Sequence, residues 1–179
     1  MVYIAIKRAA PHGLSQEREA AAVALHELIS KHAPELIPYT VAHTDAGRPY
    51  IAQAENIDIS ISHTDGYAAC ALITGEGQRV GVDIEKVKTS RPGVAKKYFA
   101  PEEQDLLFSL DGTDAARHFT KLWTKYEAKS KYLGGGLADM RKKADAYIDC
   151  FTFKGEDEGE FAVSVCTKKK EETKVVFLP

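Results

Sequence analysis

RVGVDIE, residues 79–85, reads as a β-strand. Strict alternation puts Val80, Val82 and Ile84 on one face and Gly81, Asp83 and Glu85 on the other. The two carboxylates then stand side by side, about 6–7 Å apart at roughly 3.3 Å of rise per residue. Like charges at that range repel, and partial burial strengthens the repulsion. Two readings account for such a pair: the solvated outer face of an antiparallel sheet, or a seat for a divalent cation that cancels the repulsion.

Working outward, Ile57, Ile59 and Ile61 alternate with Asp58, Ser60 and Ser62, and Asp65-Gly66 signals a hairpin turn. Residues 67–74 form the next strand, "GEGQ" a second turn, and 79–86 a third strand. The short links predict three antiparallel neighbours. Before them, residues 15–31 predict a helix with Ser15 as N-cap and an apolar stripe of Val23, Leu25 and Leu28; Pro34 and Pro38 end it. A first strand precedes this helix, and a turn "DAGRP" follows it. Beyond Lys88, helices are predicted over 91–99, from Pro101, and over 114–133, the last stopped by Gly134-Gly135-Gly136. Alternation at 147–153, 160–166 and 173–178 predicts three closing strands. The fold class is therefore α+β: two similar lobes, 1–87 and 88–179, each a helix with about three antiparallel strands, in one compact unit with a seam.

The 179 residues are 44% hydrophobic and 28% charged, with a formal charge of -2. That balance suits a globular core and argues against nucleic-acid binding. No apolar run reaches the roughly 18–20 residues that span a bilayer, and the start lacks the pattern of a signal peptide. Cys70, Cys150 and Cys166 form no CxxC pair or Cys/His cluster, so reduced thiols in the cytoplasm are expected.

In the long helix, Phe119, Leu122, Trp123, Tyr126 and Leu133 mark the predicted buried stripe. Glu127 lies at its edge, and Lys131 one turn further on the same side. The pair reads either as a solvated i,i+4 ion pair or as part of a site with Asp83 and Glu85. Magnesium takes oxygen ligands, commonly a few carboxylates with water and phosphate oxygens. His63 ends the strand IDISISH, with Ser62 beside it, and Arg48 is a turn-borne cation.

Taken together, "GRP" (47–49), "SISH" (60–63), "GVDIE" (81–85) and "WTKYEAKSKYLGGGL" (123–137) resemble, in order and spacing, the motifs of the 4′-phosphopantetheinyl transferases. The resemblance is to the larger, pseudo-dimeric class and covers roughly half the chain. It implies magnesium bound by Asp83, Glu85 and Glu127, with Asp83, Glu127 and Lys131 as the catalytic set. Lys131 would grip the diphosphate of coenzyme A; Arg48, Ser62, His63 and Arg18 would hold its nucleotide end. It further implies transfer of phosphopantetheine to a serine of an acyl or peptidyl carrier protein, a holo-acyl-carrier-protein synthase type of activity. Two lobes in one chain suggest a monomer, and charge and hydropathy predict no nucleic-acid or membrane partner. Lys86, Lys88, Arg91, Lys96 and Lys97 are a candidate basic lip for an acidic carrier. Two positions depart from the family pattern: Tyr126 stands where a lysine is usual, and Ser60 where an asparagine is. Magnesium phosphodiesterase chemistry and a non-catalytic binding module remain the rival readings.

Overall fold

A computed structural model describes residues 1–9 and 13–179, with only the backbone described for Leu137. The strands are β1 (Val2–Arg8), β2 (Val41–His43), β3 (Pro49–Ile51), β4 (Ile57–Thr64), β5 (Tyr67–Thr74), β6 (Val80–Lys86), β7 (Tyr147–Lys154), β8 (Glu160–Thr167) and β9 (Thr173–Leu178). The helices are α1 (Leu14–His32), α2 (Pro92–Tyr98), α3 (Pro101–Phe108) and α4 (Gly112–Leu133). The class is α+β, as predicted.

Alternation in the strands sets the layers. In β1 and β5, Val2, Ile4, Ile6, Ala69, Ala71 and Ile73 point to one side, where they meet Val80, Val82, Ile84, Val163 and Val165 of the second sheet. Ala5, Ala68, Cys70 and Leu72 point to the other side, where α1 covers them. The small side chains Ala20, Ala21 and Ala24 of α1 are buried there with Leu25, Leu28 and Ile29. Close helix–sheet approach favours alanine at those positions. The predicted stripe is corrected at Val23, which is exposed. The predicted N-cap is corrected as well: α1 starts a residue earlier, Gly13 holds the cap position, and its carbonyl accepts the Glu17 N–H at 2.9 Å, leaving Ser15 inside the first turn.

Strand pairing departs from the predicted meander. β4 and β5 form the expected hairpin, with Asp65 and Gly66 both at positive φ in the turn. β6 is not the neighbour of β5. It crosses to a second sheet, β6-β8-β7, and pairs antiparallel with β8. β9 returns to the first sheet, β4-β5-β1-β9, and lies parallel to β1. Each half of the chain thus lends a strand to the other half's sheet, across the boundary expected at 87/88. The physical reason lies in β6 itself: its residues 80–84 are buried on both faces. One face packs on the apolar residues of the first sheet and the other is covered by a helix, while the two places beside β5 are taken by β4 and β1.

That helix is α4, which packs on β6 and β8. Its sheet side is made of small residues, Thr124 and Ala128, both fully buried. Thr124 and Ser164 hydroxyls share a hydrogen bond of 2.8 Å. At Gly81 a Cβ would lie 2.0 Å from the Ala128 carbonyl oxygen and 2.6 Å from the Tyr132 nitrogen. Glycine at this position is what lets α4 lie against the strand. The predicted aromatic stripe faces elsewhere: Phe119 and Leu122 are buried, and Trp123 and Tyr126 partly so, against α2 and α3. No helix among the described residues is long and apolar enough to cross a membrane.

Candidate functional site

Because β4 and β6 edge their respective sheets, side chains rather than a backbone ladder join them. Asp58, Ser60, Ser62 and Thr64 share one face of β4. Asp58 Oδ2 accepts the Val80 N–H at 2.8 Å, and Ser60 Oγ accepts the Val82 N–H at 2.9 Å. Further along, the partners become carboxylates: Ser62 Oγ donates to Asp83 Oδ1 at 2.7 Å, and Thr64 Oγ1 donates to Glu85 Oε2 at 3.2 Å. Ser60 therefore has a structural task, closing the seam by accepting a backbone N–H. Sequence reasoning gave it none; period-2 alternation with Ser62 was the available signal.

Asp83 is 4% exposed, which rules out the solvated-face reading of its strand. Its Oδ1 also receives the Lys131 ammonium at 2.8 Å, while Oδ2 is buried without a hydrogen-bond partner among the described residues. Lys131 therefore reaches Asp83 on β6 instead of Glu127 on its own helix. Burial, then Asp83, pushes Glu127 up to about 7, with Lys131 partly offsetting them. Glu85 is likewise raised, by burial first and by Asp83 next. Three carboxylates from a strand and a helix thus share one electrostatic neighbourhood, with one ammonium inside it.

No three His, Cys, Asp or Glu side chains among the described residues stand close enough to hold a metal ion as a group. The donor set nevertheless fits a hard divalent cation. One buried carboxylate oxygen has no partner among the described residues, the other two carboxylates are disfavoured as anions by burial and by the charge of Asp83, and all the donors are oxygen.

The remaining predicted residues separate from this cluster. Ser62 and His63 lie on opposite faces of β4. His63 Nδ1 stands 3.0 Å from Glu17 Oε2 on α1, and Glu17 Oε1 accepts the Gly66 N–H at 2.8 Å. Arg18 is exposed on α1. Arg48, with a side chain only 9% exposed, pairs with Asp58 and donates to the carbonyls of Lys131 and Val80, tying the β2–β3 turn to β4, β6 and α4. It also lines a cleft of about 170 Å³ with Pro49, Ser60, Lys131 and Gly134. Tyr126 does not face the carboxylates: its hydroxyl donates to Glu103 Oε2 at 2.7 Å, and that oxygen also accepts the Ala100 N–H at 2.9 Å. Of the candidate basic lip, Lys86 and Lys88 pair with Asp157 and Asp65, each at 2.6 Å, whereas Lys96 and Lys97 are exposed on α2.

The family model of the 4′-phosphopantetheinyl transferase superfamily matches residues 79–176, which include β6 and α4. A 4′-phosphopantetheinyl transferase of Bacillus subtilis is 27% identical over 135 residues, covering 67% of this chain and 59% of the relative. The 4′-phosphopantetheinyl transferase Sfp of Bacillus subtilis is 27% identical over 119 residues, covering 66% and 49%. The 4′-phosphopantetheinyl transferase HetI of a Nostoc species is 31% identical over 85 residues, covering 46% and 35%. The chain spans about half the length of the curated relatives it matches. With more than half of its residues matched by the family model, and with Asp83, Glu85, Glu127 and Lys131 all inside that match, the chain belongs to the 4′-phosphopantetheinyl transferase superfamily.

Proposed function

We propose that the protein transfers the 4′-phosphopantetheine group of coenzyme A to a serine of an acyl or peptidyl carrier protein, releasing adenosine 3′,5′-bisphosphate. The observation that carries this reading is the buried, unpartnered Oδ2 of Asp83 inside a cluster that also holds Glu85, Glu127 and Lys131. Asp83, Glu85 and Glu127 would hold magnesium, which when bound supplies positive charge along the diphosphate. Lys131 exchanges its contact with Asp83 for a phosphate oxygen and neutralises the charge that grows there. Glu127, or a water it orients, takes the proton of the carrier serine; as a magnesium ligand Glu127 would be held as a carboxylate, which favours the water as the acceptor. Arg48 holds the walls of the adjoining cleft together, and the nucleotide end of coenzyme A lies toward His63 and Arg18. Exposed Lys96 and Lys97 offer a docking surface for an acidic carrier. The relatives' names favour the general transferase over the holo-acyl-carrier-protein synthase subtype.

The test mixes the protein with magnesium, coenzyme A and several apo carrier proteins and reads intact mass. One phosphopantetheine added per carrier, lost in Asp83→Ala, is the expected result. Coenzyme A consumed with every carrier unchanged identifies a phosphodiesterase; carrier or coenzyme bound without reaction identifies a binding module.

A further inference from the structure

Four side chains of β4 reach across the seam in step with β6: Asp58 to Val80, Ser60 to Val82, Ser62 to Asp83 and Thr64 to Glu85. The first two contacts fix the backbone of β6 against β4. The last two end on carboxylates, and their spacing of two residues on each strand matches them one to one. Asp83 is held by two donors, Ser62 and Lys131. For Glu85 the hydroxyl of Thr64 is the hydrogen-bonding side chain. Glu85 has one more rotatable bond than Asp83, is partly exposed, and is repelled by Asp83 beside it. Left alone, such a carboxylate swings toward solvent and away from its like-charged neighbour. A β-branched threonine on a strand has a restricted χ1, so its hydroxyl is a fixed anchor for that carboxylate.

We infer that Thr64 is a positioning residue that aims Glu85 into the carboxylate cluster, as Ser62 aims Asp83. The seam between the two sheets thereby sets the donor geometry, and Thr64 lies outside the motif positions to which a ligand contact was assigned. This inference rests on the metal-binding reading of Asp83, Glu85 and Glu127.

The test titrates the protein with manganese(II) and counts the free ion by electron paramagnetic resonance, with no coenzyme or carrier present. Thr64→Val keeps the branched shape and removes the donor; Thr64→Ser keeps the donor. Loss of a group that orients a metal ligand typically weakens metal binding by about 10–100-fold. The expected result is manganese binding weakened about tenfold in Thr64→Val and restored in Thr64→Ser. In the complete reaction, saturating metal should recover most of the turnover of Thr64→Val, a response that a purely structural defect does not give. Thr64→Ala, measured in parallel, serves if the valine variant does not fold. Manganese binding of wild-type strength in the folded valine or alanine variant overturns the role of Thr64 while the metal site stands. Binding that is absent in the wild type, or undiminished in Asp83→Ala, overturns the metal reading and this inference with it.

Discussion

Replacing Gly81 with alanine tests the joint on which the site is built. The added Cβ would lie 2.0 Å from the Ala128 carbonyl oxygen, 2.6 Å from the Tyr132 nitrogen and 3.1 Å from the Ala128 carbonyl carbon. All three atoms belong to the backbone of α4, so no side chain can rotate away. Ordinary contact begins near 3.4 Å, so the helix must retreat by about 1.4 Å. Overpacking of that kind costs about 1–3 kcal/mol. Retreat also stretches the Thr124–Ser164 hydrogen bond, worth about 1 kcal/mol. A total of about 2–4 kcal/mol corresponds to a fall in melting temperature of roughly 5–15 °C for a chain of this size. Gly93→Ala is the control. Gly93 lies in α2 with nothing among the described residues within 4 Å of an added Cβ, and alanine is the better helix former by up to about 1 kcal/mol. The two substitutions should therefore move the thermal midpoint, read by calorimetry, in opposite directions. Lys131 and Glu127 ride on α4, so Gly81→Ala should also slow carrier modification well below its melting temperature. A midpoint for Gly81→Ala within about 1 °C of wild type, or equal to that of Gly93→Ala, would refute the argument that close packing requires this glycine.

Stability should depend on pH through Glu127. Its folded-state value of about 7 lies above the ordinary 4.5, so the native protein binds the extra proton between them. Its stabilising contribution is full below pH 4.5 and is lost as pH rises through about 7. At 1.36 kcal/mol per pH unit the full effect is ~3 kcal/mol, and solvent screening of a partly exposed group reduces it to roughly 1–2 kcal/mol. In chelator the melting temperature should fall from pH 5 to pH 8; Glu127→Gln should flatten that slope and magnesium should restore stability at pH 8. An unchanged slope in the glutamine variant counts against Glu127 as the titrating group. Arg48→Ala should cost about 1.5–3 kcal/mol in urea unfolding, because the half-buried Asp58 carboxylate loses its charged partner and keeps only the Val80 N–H. Unaltered stability with a raised KM for coenzyme A would instead make Arg48 a nucleotide contact. Tyr126→Phe should lose about 1–2 kcal/mol through the lost hydrogen bond to the partly exposed Glu103 carboxylate, which keeps the Ala100 N–H, while metal affinity stays at the wild-type level. A drop in manganese binding would place Tyr126 closer to the site than its hydrogen bond indicates.

Local pattern made most elements legible. Alternation marked the long strands from 57 to 178 except β5, which its flanking turns bracketed; the glycines after Leu133 marked the end of α4, and Asp65-Gly66 marked the hairpin turn whose predicted pairing also held. Residue type and spacing picked out Asp83, Glu85, Glu127 and Lys131. These signals are carried by neighbours in the chain, where the period of the backbone is the only geometry needed.

Pairing and contact depended on distant residues. Nothing local tells β6 to leave β5 for β8, or β9 to lie parallel to β1, because those choices follow from which faces find cover in the assembled core. The contact of Thr124 and Ala128 on α4 with Gly81 on β6 escaped the hydrophobic pattern, since threonine, alanine and glycine carry little apolar signal yet permit the closest approach. The same holds at the site. Sequence supplied its acids, but only the folded chain joined Ser62 to Asp83 and Thr64 to Glu85, turned His63 toward α1 and enclosed Arg48, because each contact spans elements whose meeting is decided by packing.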